Sequence, residues 1–298
     1  MLAAQQSSTT SREEFTFSER DFQMISELAN ARYGLFLQPS KKALVHSRLA
    51  KRLRALNLDS FEAYCDLLQR SEGDAEQTHL LSALTTNVTH FFREAHHFAY
   101  LKDKIAPILA AKAKSGAPVR LWSAACSTGQ EAYSIAATLL DAEPGLDRFD
   151  VKILATDIDP KVVETARIGR YPTEQIAAIP DPWRRVLTRG ASDRSADFTM
   201  DNTLKSMISF GELNLIADWP MQRSFDVIVC RNAAIYFDKS TQARLWQRFA
   251  KALGDDAHLM IGHSERLRGP AEALFKSVGI TTYQKQAQSK HRDEGDKN

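Results

Sequence analysis

The sequence predicts a small all-helical N-terminal domain followed by a doubly wound, mostly parallel α/β domain. Three observations carry this expectation. Residues 16 to about 92 show helical patterning only. From Val119 onward, apolar strand-like runs alternate with helical patterns, which is the order of a parallel sheet with crossover helices. The passage from Leu121 to Glu131 joins an apolar run to a helix through small residues, Ala124-Ala125-Cys126-Ser127-Thr128-Gly129. Ligands of such sheets bind at the carboxyl ends of the strands.

In chain order, residues 1 to about 15 are polar and small and are expected to be disordered. Ser18 before Glu19-Arg20-Asp21 predicts a helix start, and Gly34 its stop. Ser40 opens a second helix running to Leu56. Asp59-Ser60-Phe61-Glu62 resembles a capping box for a third, and a fourth covers about Ala75 to Leu84. A long helix is expected from about Glu94 to Lys114, stopped by Gly116-Ala117-Pro118.

The predicted strands are Val119–Ala124, Val151–Thr156, Ser206–Phe210, Phe225–Cys230 and His258–Ile261. The predicted helices between them are Glu131–Ala142, Pro160–Arg167 and Lys239–Leu253. Between about 171 and 204 the pattern weakens around Pro172, Pro180 and Pro182. An insertion is expected there, with a helix near Trp183–Leu187 and short strands. The domains are therefore expected at 16–92 and 93–285, with a flexible tail over 286–298.

Composition narrows the function classes. Hydrophobic content is 43%, charged content 26% and net charge +2 over 298 residues, which is ordinary for a globular protein. No apolar run approaches the roughly 20 residues that span a bilayer, and the N-terminus lacks a signal-peptide pattern, so a cytoplasmic location is expected. The small net charge implies no general attraction to nucleic acid. Cys65, Cys126 and Cys230 are widely spaced and read as free thiols. His90, His96 and His97 lie close in sequence, with no Cys or carboxylate at a familiar metal spacing, so no metal is expected.

The loop before Glu131 has no GxxxxGK[ST] and a single glycine where a dinucleotide site wants GxGxxG. That excludes a phosphate loop and weakens a nicotinamide-dependent oxidoreductase. Small side chains let an uncharged adenosine lie against the backbone, and Glu131 suits a cationic ligand. The ligand class is S-adenosylmethionine (SAM), which carries a sulfonium and an ammonium but no phosphate.

Asp157 ends the second strand, where a carboxylate can accept both ribose hydroxyls, while Asp159 fits the N-cap before Pro160. Asn214 and Leu215 follow the third strand, and an Asn amide can read an adenine edge or simply form a turn. Arg231 and Asn232 stand at the mouth of the strand Phe225–Cys230. Tyr236 either positions the transferring methyl or the acceptor, or is a loop aromatic with a satisfied hydroxyl. Cys126 and Cys230 are expected near the same cleft. Asn87, Thr89 and Arg93, polar in an apolar passage, read alone as caps and surface.

The stretches TTNVTHFFRE, RLWSAACSTGQEAYSIA, ILATDID, FDVIVCRNAAIYF and LMIGHSE, in that order, resemble the CheR-type chemotaxis receptor methyltransferases over about residues 16 to 285. The resemblance implies a Rossmann-like SAM-methyltransferase domain. It implies methyl transfer to glutamates of the cytoplasmic helical bundle of chemoreceptors, with S-adenosylhomocysteine as product. It assigns cofactor contacts to Asn87, Thr89, Arg93, Glu131, Asp157, Asn214, Leu215, Arg231 and Asn232, so that the N-terminal domain would fold over the bound SAM.

It also implies receptor docking by the basic second helix. Six basic residues and no acidic ones lie between Lys41 and Arg54. Lys41, Arg48 and Arg52 fall within roughly 40° of one another on a helix, and Lys51 adjoins them. The alternative is a solvated helix face. Ala233-Ala234 departs from the family's usual RNVMIYF-like sequence. Arg189–Ser195 lacks the second glycine of the family's Gly-x-Gly turn, which argues against a tether to a receptor C-terminal pentapeptide. A monomer is expected. Two other readings remain: a SAM methyltransferase acting on a small molecule or nucleic acid, and a SAM-binding regulatory module without turnover.

Overall fold

The computed structural model describes residues 15–70, 73–177, 179, 181–187 and 197–287. The predicted disordered start, the last residues of the tail and the Arg189–Ser195 stretch lie outside the described residues. The chain divides into two units, with the division at Thr85/Thr86.

The first unit holds four helices, α1 (Glu19–Tyr33), α2 (Lys42–Leu56), α3 (Phe61–Gln69) and α4 (Asp74–Leu84). Ser18 and Asp21 cap α1 reciprocally: Ser18 Oγ accepts from Asp21 N, and Asp21 accepts from Ser18 N. At α3 the cap is simpler than expected. Ser60 accepts from Ala63 N, and Glu62 lies one position too early to close a box. Val45, Leu49 and Leu53 form the buried stripe of α2, and Phe61, Tyr64 and Leu68 are the buried residues of α3.

The second unit begins with α5 (Ala95–Tyr100) and α6 (Ala106–Lys114). The single long helix expected here is interrupted by a π turn over Leu101–Ile105, where Ala106 N bonds back to Leu101 O. Pro107 explains it. Proline has no N–H for the α ladder, and its ring would strike the carbonyl four residues earlier, so the preceding turn widens.

Strand β1 (Val119–Ala124), helix α7 (Gln130–Ala142), strand β2 (Val151–Asp157) and helix α8 (Pro160–Ile168) follow as read. The insertion contributes β3 (Arg170–Pro172), α9 (Glu174–Ala177), α10 (Asp181–Leu187) and β4 (Asp197–Thr199), with β3 and β4 antiparallel. Then come α11 (Asn202–Met207), β5 (Ile208–Glu212), β6 (Phe225–Cys230), α12 (Lys239–Ala252) and β7 (Leu253–Ile261). A hairpin of β8 (Phe275–Gly279) and β9 (Thr282–Lys285) completes the unit; sequence patterning had not suggested it.

The main sheet has the order β5-β2-β1-β6-β7-β9-β8. Its first five strands are parallel, and β9 and β8 add antiparallel at one edge. Strand order reverses between β1 and β6, so the crevice lies beyond Ala124 and Cys230. Alternate residues of β1 enter opposite cores. Leu121 packs with the α6 and α7 side, and Trp122 with the α12 side. This two-sided burial is why these strands read as continuous apolar runs. No helix among the described residues is long and apolar enough to cross a membrane.

Candidate functional site

The loop after β1 is bent by three left-handed residues, Ala125, Ser127 and Gly129. A side chain at Gly129 would lie 2.7 Å from Ala166 Cβ, so close helix packing demands glycine there. Two non-glycine residues held at positive φ mark a conformation imposed by the surroundings. Tyr171 hydroxyl donates to Thr128 O at 2.6 Å, and Cys126 N donates to Thr156 O at 2.8 Å.

Asp157 lies at the end of β2, beneath this loop. Its Oδ2 accepts from Ser127 N at 2.8 Å and its Oδ1 from Asp159 N at 3.1 Å. A carboxylate has about four acceptor positions, so capacity for two hydroxyls remains. Burial pushes the Asp157 carboxyl upward, against the pull of those backbone hydrogen bonds. Asp159 caps α8 by accepting from Lys161 N. Leu213 N donates to Asp157 O at 2.9 Å, which brings Asn214 and the buried Leu215 alongside. Asn214 Oδ1 accepts from Ile216 N at 3.0 Å, as a turn residue does.

Glu131, on the first turn of α7, is 6% exposed, and both its oxygens are engaged. One accepts from Ser123 Oγ at 2.6 Å, the other from Arg231 Nε at 2.7 Å. Arg231 also donates to Arg93 O and stacks over Phe98. Glu131 alone therefore does not supply the negative charge that would favour a cation. With Glu131 matched by Arg231, that charge comes from Asp157 and Asp159, and the loop itself contains no Lys or Arg.

The stretch that was unreadable alone belongs to this unit, not to the helical one. Asn87 Nδ2 donates to Asp159 at 3.1 Å, and Asn87 O accepts from Ser127 Oγ at 2.9 Å. Phe92 N donates to Ser134 Oγ, and Arg93 Nη1 donates to Val88 O. Thr89 is half-buried between them. Tyr236 hydroxyl lies 3.3 Å from Thr86 N and 3.5 Å from Thr86 O, a satisfied phenol that fastens this stretch beside the β6 loop.

Sequence reasoning assigned no role to Glu265, in the LMIGHSE stretch. Its buried carboxylate accepts from the backbone N–H of Asn232, Ala234 and Gly262. It holds Asn232 in its left-handed conformation and ties the β6 mouth to the β7 mouth. Burial raises its carboxyl, opposed by those same bonds. Cys126 and Cys230 are buried, and burial drives both thiols well up.

Glu94, left out of the histidine reading, brings its carboxylate to His96 and His97, while His90 instead bonds Phe91 O. In the helical unit, Arg48 and Arg52 do not present open guanidinium groups. Arg48 Nη1 donates to the carbonyls of Ala83, Leu84 and Thr85, the unsatisfied C-terminal acceptors of α4. Arg52 forks onto Glu76 at 2.9 and 2.7 Å, and Tyr64 adds a third bond to Glu76 at 3.0 Å. Lys41 and Lys51 are exposed.

Residues 87–284 match the SAM binding domain of the CheR methyltransferase family, and residues 20–85 match its all-alpha domain. The chain is 47% identical over 251 residues to a probable chemotaxis protein methyltransferase of Rhizobium etli, covering 84% of this chain and 94% of that one. It is 42% identical to chemotaxis protein methyltransferase 2 of Pseudomonas aeruginosa, over 91% of this chain and 95% of the relative. It is 39% identical to the chemotaxis protein methyltransferase of Escherichia coli, over 91% and 92%. A phosphate-free loop over a strand-end carboxylate, at the switch point of a parallel sheet, is the geometry such a domain requires, and the chain belongs to the CheR methyltransferase family.

Proposed function

We propose that this SAM-dependent methyltransferase esterifies glutamate side chains on the cytoplasmic helical bundle of chemoreceptors. The products are glutamate methyl esters and S-adenosylhomocysteine. The observation that carries the reading is the convergence of five ordered family motifs on one sheet edge, in a chain 47% identical to a probable chemotaxis protein methyltransferase.

The residues fit the cofactor. Asp157 has spare acceptor capacity for the ribose hydroxyls, Asn214 and Leu215 flank the adenine side, and the buried Glu131–Arg231 pair shapes the wall. Asn87, Thr89, Arg93 and Asn232 complete the contacts. SAM supplies a methyl group on a sulfonium, electrophilic without further activation. A glutamate acceptor is ionised at neutral pH, with an ordinary pKa near 4.3, so the protein's task is alignment and exclusion of water rather than proton removal. Tyr236, held against Thr86, serves as a positioning residue. Docking through α2 falls to Lys41 and Lys51, with Arg48 and Arg52 acting by holding that helix's surroundings.

The test is transfer of labelled methyl from SAM to a purified receptor cytoplasmic fragment, followed by mild base. Label released as methanol supports the carboxyl ester. Base-stable label, or label appearing only on small molecules or RNA, overturns it.

A further inference from the structure

The most unusual polar cluster outside the SAM site is Glu94, His96 and His97. One donor atom from each of the three lies within 4.8 Å of the others, and Glu94 Oε2 is 3.6 Å from His97 Nδ1. The buried Glu94 Oε2, His96 Nε2 and His97 Nδ1 belong to these residues. All three atoms are shielded from water, and none has a hydrogen-bond partner among the described residues. Buried polar atoms are nearly always paired, so three that converge on one point call for a common partner. Donors about 2.0–2.2 Å from a tetrahedral ion stand roughly 3.3–3.6 Å apart, the spacing of Glu94 Oε2 and His97 Nδ1.

We propose that Glu94, His96 and His97 bind a divalent transition-metal ion of the zinc class, with His263 holding Glu94 from the rim. The outer groups are arranged for it. His97 Nε2 lies 2.9 Å from Thr281 Oγ1; with its proton there, Nδ1 presents a lone pair toward Glu94. Glu94 Oε1 is held by His263, whose Nδ1 lies 2.8 Å away. Glu94 adopts a left-handed φ of 58° at the start of α5, a strained setting that directs its side chain back over the helix.

Arg231 lies 3.8 Å from Glu94 Oε2, yet its charge is matched by Glu131. Two imidazoles with one carboxylate favour zinc, cobalt or nickel over magnesium or calcium, which require more oxygens. With three protein ligands, water takes the fourth position. The ion ties the start of α5 to the turn before β9 and the loop after β7.

The experiment uses untagged full-length protein, stripped with chelator and titrated with Zn2+ or Co2+. One ion per chain, four-coordinate cobalt absorption and a zinc-dependent rise in melting temperature are expected. In His96→Ala and Glu94→Gln, with circular dichroism unchanged, affinity should fall by more than the roughly 10–100-fold that loss of an outer-shell partner costs. Glu94→Gln keeps shape and serves if His96→Ala does not fold. No stoichiometric uptake, as when a buried water fills the space, overturns the proposal. So does uptake that both variants retain.

Discussion

Among the described residues, each unit sets one guanidinium on a buried carboxylate, and the two pairs are built for different ends. Arg52–Glu76 in the helical unit is a closed staple. The fork is bidentate, Tyr64 adds a third bond to the same carboxylate, and every partner lies on a neighbouring helix. Arg231–Glu131 is distributed. Its guanidinium reaches a carboxylate, a backbone carbonyl, an aromatic face and the edge of Glu94, at the crevice of the sheet. A basic residue in a basic helix invites a docking role, but its burial and partners decide what it does. A lone arginine at a strand mouth is where electrostatics and ligand geometry meet.

The sharpest test of this contrast is Arg231→Ala. It strands Glu131 in a site where both side chains are almost wholly buried, and should cost about 3–5 kcal/mol together with nearly all methyl transfer. Denaturant unfolding and a transfer assay measure the two losses. Near-normal stability would mean the pair is not coupled as described.

Arg52→Ala comes next. Arg52 is partly exposed while Glu76 is not, so a smaller loss of about 2–3 kcal/mol is expected, with SAM affinity kept in the protein that remains folded. Calorimetry separates the two effects. Unchanged stability with lost receptor methylation would return Arg52 to the docking surface.

Asp157→Asn should weaken SAM binding about 10–100-fold, the scale of lost charge-assisted hydrogen bonds. Its effect on folding runs the other way. Burial raises the Asp157 pKa in the folded state, so the folded protein favours the protonated acid, and the ionised form costs stability once pH exceeds that raised value. At neutral pH the amide should therefore unfold no earlier than the parent in a thermal melt. A clear drop in melting temperature would make Asp157 a structural group.

The smallest effect expected is from Lys41→Glu with Lys51→Glu. Both residues are exposed, so receptor methylation should fall a few-fold, more at low salt, with SAM binding and stability unchanged. Salt-independent rates equal to the parent's would remove α2 from docking.

The legible parts of the sequence were those governed by local period. β1, its loop, α7 and β2 could be read because a doubly buried parallel strand and an amphipathic helix each leave a repeating pattern, and Asp157 followed from its place at a strand end. The β8–β9 hairpin escaped because it joins the sheet edge without a crossover helix to announce it. The break in the long helix was signalled by Pro107, read past in favour of a continuous helical pattern. Partnerships were invisible where they span distance. Glu76 lies 24 positions from Arg52, and the N–H groups of Asn232 and Ala234 lie 33 and 31 positions from Glu265. Glu94 was missed although it stands three positions before His97, a spacing that a helix brings together.

The π turn at Leu101–Ile105 also acts as a phase corrector. At 100° per residue, Ala113 would sit about 60° round from Phe98, yet both are buried in the same core. The wide turn takes up one residue without the usual 100° step, which brings Ala113 to about 40° on the other side of Phe98 and keeps both on the buried face. Inserting a second residue there, with no further wide turn to absorb it, would rotate everything upstream by about 100° and swing His96 and His97 away from their present partners.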